Sequence, residues 1–317
     1  MPYPPMSDIN AHNRHSRRAL GAVRRARFRV GVTLLSMVAS LGVTLDAVSA
    51  SDAPGRQGVS IATPPAGPAG SPGSGRQGPS VSAASSVSSG SVGTVGMVVG
   101  LGDSVPAGSA CDCATYVSLV GQGLATRQGT EVVSRNLAAA GLTTKGLLDQ
   151  LADDAAEESV VEADVTIITI GANDFDSASI EDDACGPDAD LACFKDDLAQ
   201  LRANMDAILR RVRALEKRDG SRIIVTGYWN VFMDGAVGRA QGQAYVTTSD
   251  RLTLAVNETL AAAAAAAGAR YVDLYVPFKG ADGTRDDTEL LADDGDHPDA
   301  TGHRLIAGSV LSALYDV

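Results

Sequence analysis

One serine, one aspartate and one histidine of this chain have the types and spacing that nucleophilic catalysis requires. His297 lies three residues after Asp294 and directly before a proline. An imidazole has an unperturbed pKa of about 6.5, so it can accept a proton and return it near neutral pH. Ser104 follows an apolar run, where a turn can expose its hydroxyl. We expect Ser104 as the nucleophile, His297 as the base and Asp294 as the group that orients the base.

Two neighbouring side chains compete for the last two roles. His303 is expected in the first turns of the final helix, where a packing role is favoured over catalysis. Asp296 is adjacent to His297 and is expected to point elsewhere. His297 and Asp294 are therefore preferred.

Acyl transfer also needs donors for the oxyanion of its transition state. Asn173 can donate through its side-chain amide, and Gly141 offers a backbone N–H that no side chain obstructs. Each candidate also has a plain structural interpretation. Asn173 could belong to a turn that ends a strand, and Gly141 could be a hinge. The sole role of Ser104 could be to cap a helix.

These residues must be positioned by an alternation of apolar, β-rich runs and helical patterns, which is typical of a parallel sheet covered by helices. Strands are predicted at 95–99, 131–136, 164–170, 222–226 and 271–274, and helices at 116–126, 143–151, 191–217, 248–267 and 301–315. Ligands of open parallel sheets bind beyond the carboxyl ends of the strands. Ser104, Gly141 and Asn173 each follow a predicted strand, and His297 precedes the last helix, so we expect all four at one edge.

Four sequence blocks occur in a specific order: Gly-Asp-Ser-Val-Pro-Ala-Gly at 102–108, Asn-Leu-Ala-Ala-Ala-Gly at 136–141, Gly-Ala-Asn-Asp at 171–174 and Asp-Gly-Asp-His-Pro at 294–298. Together they resemble the SGNH hydrolase family, also called GDSL-type esterases and lipases, over residues 97–315. The resemblance implies an α/β fold, a three-layer α/β/α sandwich with a five-stranded parallel, flavodoxin-like sheet.

The resemblance also implies a catalytic triad of Ser104, His297 and Asp294. It implies an oxyanion hole formed by the amides of Ser104 and Gly141 and the side chain of Asn173. The chain departs from the usual motif after the serine, where Val-Pro at 105–106 replaces leucine; this could alter the floor of the pocket. The second block is the loosest match and makes Gly141 the least specific assignment.

The function implied is a secreted serine hydrolase that cleaves carboxylic esters through an acyl-serine intermediate, without a cofactor or a metal. One alternative is an acetylesterase or acyltransferase that acts on surface polysaccharide with the same residues. Another alternative, from a different class, is a non-catalytic wall-associated binding protein. Loss of a triad member would favour the binding protein, and no member is missing here.

The first 92 residues are expected to lie outside the catalytic domain. Residues 1–50 combine seven arginines with a 16-residue apolar run and small residues, as in an export signal; an uncleaved anchor is the alternative. Residues 51–92 are rich in Gly, Ser, Pro and Ala and predict a disordered linker. Residues 93–317 are the predicted hydrolase domain of a secreted or membrane-tethered protein.

The charge and the cysteines of the predicted domain restrict its partners and its compartment. Beyond residue 92 there remain 17 basic and 35 acidic residues, a balance that disfavours nucleic acid. We expect a monomer that meets a small-molecule or lipid ester, with transient proximity to a membrane or cell wall. Four cysteines in an exported domain favour two disulfides, whose pairing the sequence leaves open. They are Cys111, Cys113, Cys185 and Cys193.

Overall fold

The computed structural model describes residues 94–182 and 185–315. The predicted export signal and linker lie outside the described residues. Among the described residues, no helix is both long and apolar enough to cross a membrane.

Five parallel strands form one sheet in the order β2-β1-β3-β4-β5. They are β1 (Met97–Gly102), β2 (Val133–Asn136), β3 (Val165–Thr169), β4 (Arg222–Thr226) and β5 (Arg270–Val272). The chain runs from β1 outward to β2 and then returns to β3 on the other side of β1. This reversal places a topological switch point at the carboxyl ends of β1 and β3, where open α/β sheets bind ligands.

Nine α-helices lie in the described part of the chain and cover the sheet. They are α1 (Ser104–Ala107), α2 (Tyr116–Gln128), α3 (Thr144–Gln150), α4 (Asp154–Glu162), α5 (Lys195–Leu215), α6 (Gly235–Gln241), α7 (Gln243–Ala266), α8 (Tyr275–Lys279) and α9 (Ala300–Tyr315). Helix α2 packs against α9, and α5 packs against α3, α4 and α7. The two groups cover the two faces of the sheet, which confirms the predicted three-layer α/β/α sandwich.

The central strands are apolar because both of their faces are buried. Every residue of β3 is buried. The largest fully buried side chain is that of Trp229, whose ring stacks on Phe278 with the centroids 4.4 Å apart. The alanine-rich end of α7 contributes Ala263 and Ala264 to the core, as expected for close packing of a helix.

The element boundaries differ from the predicted ones where local turns override the pattern. Strand β1 extends to Gly102, and α7 begins at Gln243, five residues before its predicted start. Helix α5 begins at Lys195 because Leu191 has a left-handed backbone with φ of 56°. The short helices α4, α6 and α8 were not predicted, since segments this short carry little periodicity.

Each cysteine forms a disulfide with the cysteine nearest to it in sequence. One disulfide joins Cys111 to Cys113, and the other joins Cys185 to Cys193. The sequence left the pairing open, and the two pairings that would join Cys111 and Cys113 to Cys185 and Cys193 are not formed. The second bridge closes the loop that precedes α5.

Candidate active site

The turn after β1 positions Ser104. Gly102 has a φ of +135°, and a Cβ atom at this position would lie 1.8 Å from the carbonyl oxygen of Thr169 in β3. The N–H of Asp103 donates to the same carbonyl at 3.0 Å. Ser104 then opens α1 and is only partly buried. Glycine is required at 102 because the chain must pass against β3 before it delivers the serine hydroxyl to the sheet edge.

Asp103 is a buried carboxylate directly beside the serine. Its Oδ1 accepts the N–H of Val105 at 3.0 Å, which caps α1. Its Oδ2 accepts the hydroxyl of Tyr228 at 2.5 Å. Burial raises the pKa of Asp103 to about 7, against the opposing effect of these hydrogen bonds. The Tyr228 contact therefore fixes the turn that carries Ser104.

In the loop before α9, both the ring and the backbone N–H of His297 contact the carboxylate of Asp294. The ring Nδ1 lies 2.8 Å from Asp294 Oδ2, in hydrogen-bond geometry. The other oxygen, Oδ1, accepts the backbone N–H groups of Asp296 at 3.3 Å and His297 at 3.2 Å. The His297 carbonyl accepts the N–H of Ala292 at 2.8 Å, which closes the loop. The predicted partner of the base is thus in contact with it.

Asp296 also contacts the ring, so the expectation that it would point elsewhere is wrong. Its Oδ1 lies 2.6 Å from the same Nδ1 of His297. Burial lowers the pKa of His297, but the side chains of Asp296 and Asp294 outweigh burial and raise it to about 9. The imidazolium form is therefore favoured at neutral pH.

His303 has the packing role expected for it. The side chain is fully buried, and its Nδ1 accepts the backbone N–H of Tyr116 at 3.2 Å. The ring stacks on that of Tyr116 with the centroids 6.2 Å apart. Burial lowers the pKa of His303 to about 4, so it is neutral at physiological pH.

Side-chain contacts join the third sequence block to the residues that directly follow the second block. Asp174 accepts the N–H of Thr144, the first residue of α3, at 2.9 Å and also the Thr144 hydroxyl. Asn173 donates one amide hydrogen to the carbonyl of Leu142 at 3.1 Å, which leaves its second hydrogen for another acceptor. Gly141 precedes Leu142 and has a φ of +75°, with open space where a Cβ would lie. The loop of Gly141 thus runs beside Asn173.

Most of the predicted site residues line one cleft of about 360 Å³. Its lining comprises Ser104, Ala172, Asn173, Phe175, Ser177, Val231, Phe232, Met233, Asp294, Asp296 and His297. Gly141 is not among these residues. It lies near the cleft because its neighbour Leu142 accepts a hydrogen bond from Asn173, which lines the cleft. Phe175 packs edge-on against Phe232, with the ring centroids 6.1 Å apart, and these rings form an apolar wall. The cleft therefore joins a Ser-His-Asp set to a surface that suits an acyl or alkyl group.

Two groups of side chains have the spacing of metal ligands, among the residues that the structure describes. One is Cys111, Cys113 and His303, but the disulfide occupies both sulfurs. The other is Asp294, Asp296 and His297, which are the candidate base and its two carboxylates. The expectation of no metal and no cofactor stays a prediction.

Several side chains that shape the site were missed by sequence reasoning. Asp103 and Asp174 belong to recognised blocks, so their positions could have suggested a structural role. Tyr228 and the residues at 231–233 follow β4, and the rule that sites lie beyond strand ends could have found them. Nothing in the sequence links Tyr228 to Asp103, from which it is separated by 125 residues.

A model of the GDSL-like lipase/acylhydrolase family matches residues 101–305. The chain belongs to this family. The family match spans all four sequence blocks and confirms the resemblance on which the site assignments rest.

The fold of this GDSL-like chain also agrees with solved structures. The lipase Lip_vut3 from a goat rumen metagenome aligns with a TM-score of 0.56 and 22% identity, covering 69% of this chain and 98% of that protein. An extracellular lipase from Streptomyces rimosus aligns with a TM-score of 0.51 and 22% identity, covering 69% and 99%. No curated protein sequence matches the chain. At these identities the structural likeness shows the fold alone.

Proposed function

We propose that this protein is a secreted serine hydrolase that cleaves carboxylic esters through an acyl-serine intermediate. The observation that carries the proposal is the presence of Ser104, Asn173 and the His297–Asp294 pair in one cleft. A nucleophile, a base with an orienting carboxylate, and an oxyanion donor are the parts that acyl transfer requires.

In the proposed mechanism, Nε2 of His297 takes the proton of the Ser104 hydroxyl as its oxygen attacks the ester carbonyl carbon. The amides of Ser104 and Gly141 and the side chain of Asn173 donate to the oxyanion. His297 then protonates the leaving alcohol, and the acyl group remains on Ser104. Water, deprotonated by His297, attacks the acyl-serine, and His297 then returns the proton to the Ser104 oxygen as the acid leaves. No cofactor or metal takes part.

The shape of the cleft supports a small-molecule or lipid ester as the substrate. A volume of about 360 Å³ lies at the lower end of the range for small-molecule sites. The apolar wall of Phe175, Val231 and Phe232 suits an acyl chain better than a sugar. The chain has a single tryptophan, Trp229, and its burial removes it as a stacking surface for polysaccharide.

The surroundings of the enzyme form part of the proposal. Two disulfides support an oxidising compartment, and the arginine-rich leader supports export. The acidic surface disfavours nucleic acid as a partner. We propose a monomer that acts outside the cytoplasm, near a membrane or cell wall.

The test is labelling and turnover of the purified protein. A serine-reactive phosphonate should modify Ser104, and p-nitrophenyl esters of graded chain length should be hydrolysed. A Ser177→Ala variant is the matched control, because Ser177 lines the same cleft but has no assigned base. Labelling should persist at Ser104 in this control and vanish in Ser104→Ala. Labelling of another serine, or none with no ester turnover, would contradict the proposal.

A further inference from the structure

Two carboxylates approach a single ring nitrogen of the candidate base. Asp294 Oδ2 lies 2.8 Å from His297 Nδ1 in hydrogen-bond geometry. Asp296 Oδ1 lies closer still, at 2.6 Å from the same Nδ1. Asp294 and Asp296 flank Gly295 in the sequence. This Asp296 oxygen is buried, and it has no hydrogen-bond partner within the described residues. A triad of the usual kind needs only one of these carboxylates.

The chemistry of the ring separates the roles of the two acids. Nδ1 carries at most one hydrogen, and that hydrogen is directed at Asp294. Asp296 therefore acts on the ring through its charge. Removing a carboxylate oxygen from water without a hydrogen bond is costly, so burial raises the pKa of Asp296, and the adjacent positive charge of His297 opposes that shift. The imidazolium that forms when His297 accepts a proton supplies that charge.

The remaining titratable groups near this cluster come from other elements. Asp103, in the turn after β1, lies within electrostatic reach of His297, and burial raises its pKa to about 7. Tyr245 of α7 lies within electrostatic reach of Asp296, and its hydroxyl donates to a backbone carbonyl. His303 of α9 is buried and neutral. Asp294 and Asp296 are thus the two carboxylates that contact the ring.

We propose that Asp296 is a second positioning residue for His297, sharing with Asp294 the charge compensation of the imidazolium. The proposal rests on the ester-hydrolase function. It makes two carboxylates, instead of one, responsible for the orientation and basicity of the catalytic ring.

The consequence is a distinctive pH dependence. Below its pKa of about 9, His297 is mostly protonated and cannot act as a base, so kcat/KM should rise with pH toward that value. Replacing Asp296 by asparagine removes one negative charge and lowers the pKa of His297. A larger fraction of the enzyme then holds a neutral imidazole at pH 7, but this imidazole is a weaker base.

The experiment measures kcat/KM from pH 5 to 10 for the wild type, Asp296→Asn, Asp294→Asn and the double variant. Asp293→Asn is the matched control, because Asp293 is an exposed acid on the same loop. We expect the acid limb of Asp296→Asn to move down by about 1 to 3 pH units, the range for loss of an opposite charge at contact distance. The two pH profiles should cross. Below the crossing pH, kcat/KM should be higher in Asp296→Asn than in the wild type, and on the alkaline plateau it should be lower. Asp293→Asn should follow the wild type.

An NMR titration of the His297 ring gives a readout that does not depend on ester turnover. The ring should titrate at lower pH in Asp296→Asn than in the wild type and in Asp293→Asn. Equal titration curves and superimposable rate profiles would overturn the role of Asp296 and leave the hydrolase function intact. A shifted ring titration in a protein that cleaves no ester would reject the hydrolase function, and with it a catalytic role for this pair.

A chelator separates the proposal from metal binding at the same atoms. The ligand atoms of Asp294, Asp296 and His297 lie within 4.8 Å of one another. We expect the rates and the crossing profiles to be unchanged by EDTA. Activity that requires an added divalent cation, and that Asp296→Asn abolishes at every pH, would overturn the positioning role.

Discussion

At the scale of single residues, this site depends on acids that are held close to other polar groups. His297 lies against two carboxylates, and Asp103 lies beneath the nucleophile against a phenol. Each contact costs desolvation and is stabilised by a specific partner. Replacing one partner of such a contact should therefore lower stability or activity by more than the buried area of its side chain suggests.

Ser104→Ala and His297→Ala are expected to lower ester hydrolysis by several orders of magnitude. Ser104→Ala removes the proposed attacking oxygen, and His297→Ala removes the only imidazole among the described residues that line the cleft. Initial rates with a short-chain p-nitrophenyl ester check this, with thermal unfolding to confirm that both variants fold. Near wild-type rates in either variant would refute the assignment.

Tyr228→Phe should weaken both stability and activity. The change leaves Asp103 Oδ2, a buried oxygen, without its hydroxyl donor, which costs about 1–3 kcal/mol of unfolding free energy. Urea unfolding measures the stability and kcat measures the position of Ser104. Tyr245→Phe is the control, because its hydroxyl donates to a neutral carbonyl, that of Phe232. Equal losses in the two variants would exclude a special role for the Asp103 contact.

At the scale of elements, the carboxyl ends of β1 and β3 determine where the candidate active site lies. Ser104 follows β1 and Asn173 follows β3, the two parallel strands between which the order of strand addition reverses. The two turns are joined by the bond from the Asp103 N–H to the Thr169 carbonyl. The order of the strands thus brings distant blocks to one edge.

Gly102→Ala should disrupt this edge. An alanine Cβ would overlap the Thr169 carbonyl oxygen, so the strand end must shift and carry Ser104 with it. We expect a loss of activity and a clear fall in the midpoint of thermal unfolding. Gly308→Ala in α9 is the control, since no atom lies within 4 Å of the new methyl group and alanine favours helix. A Gly102→Ala protein with wild-type stability and rate would contradict this view of the turn.

At the scale of the whole molecule, a buried ionic cluster contacts the loop that carries Asp294 and His297. Lys279 Nζ lies 2.5 Å from Asp234 Oδ2 and 3.8 Å from Asp287 Oδ1. The backbone N–H of Asp234 donates to the carbonyl of Gly295 at 2.7 Å, between Asp294 and Asp296. Burial, together with the charge on Asp234, raises the pKa of Asp287 to about 7.

Lys279→Met should destabilise the fold by about 3–5 kcal/mol, because two buried carboxylates lose their cation. Asp287 binds a proton more tightly in the folded than in the unfolded state, so its contribution to stability falls as pH rises from about 4 through 7. Loss of Lys279 strengthens that trend. Thermal unfolding at pH 5 and pH 7.5 measures it; a variant that is equally destabilised at both pH values would contradict the role of Asp287.

Much of the fold and of the site follows from the sequence because the signals are local. The strands are apolar runs whose two faces are buried, and the four blocks lie at strand ends in a fixed order. Ser104, Asn173 and His297 could therefore be assigned to one edge before any contact was known. The partner Asp294 was also predictable, since three residues of a tight turn suffice to reach the ring.

The tertiary structure alone decided the contacts that no local pattern encodes. The bond from Tyr228 to Asp103 depends on β1 and β4 lying in the same sheet, and the pairing of the cysteines depends on the path of two loops. Asp296 was predicted to point away because adjacent residues usually diverge, but the Asp294 turn folds the backbone until both carboxylates reach Nδ1. The sequence by itself indicated which groups we propose for the chemistry, and the fold decided how many carboxylates contact the proposed base.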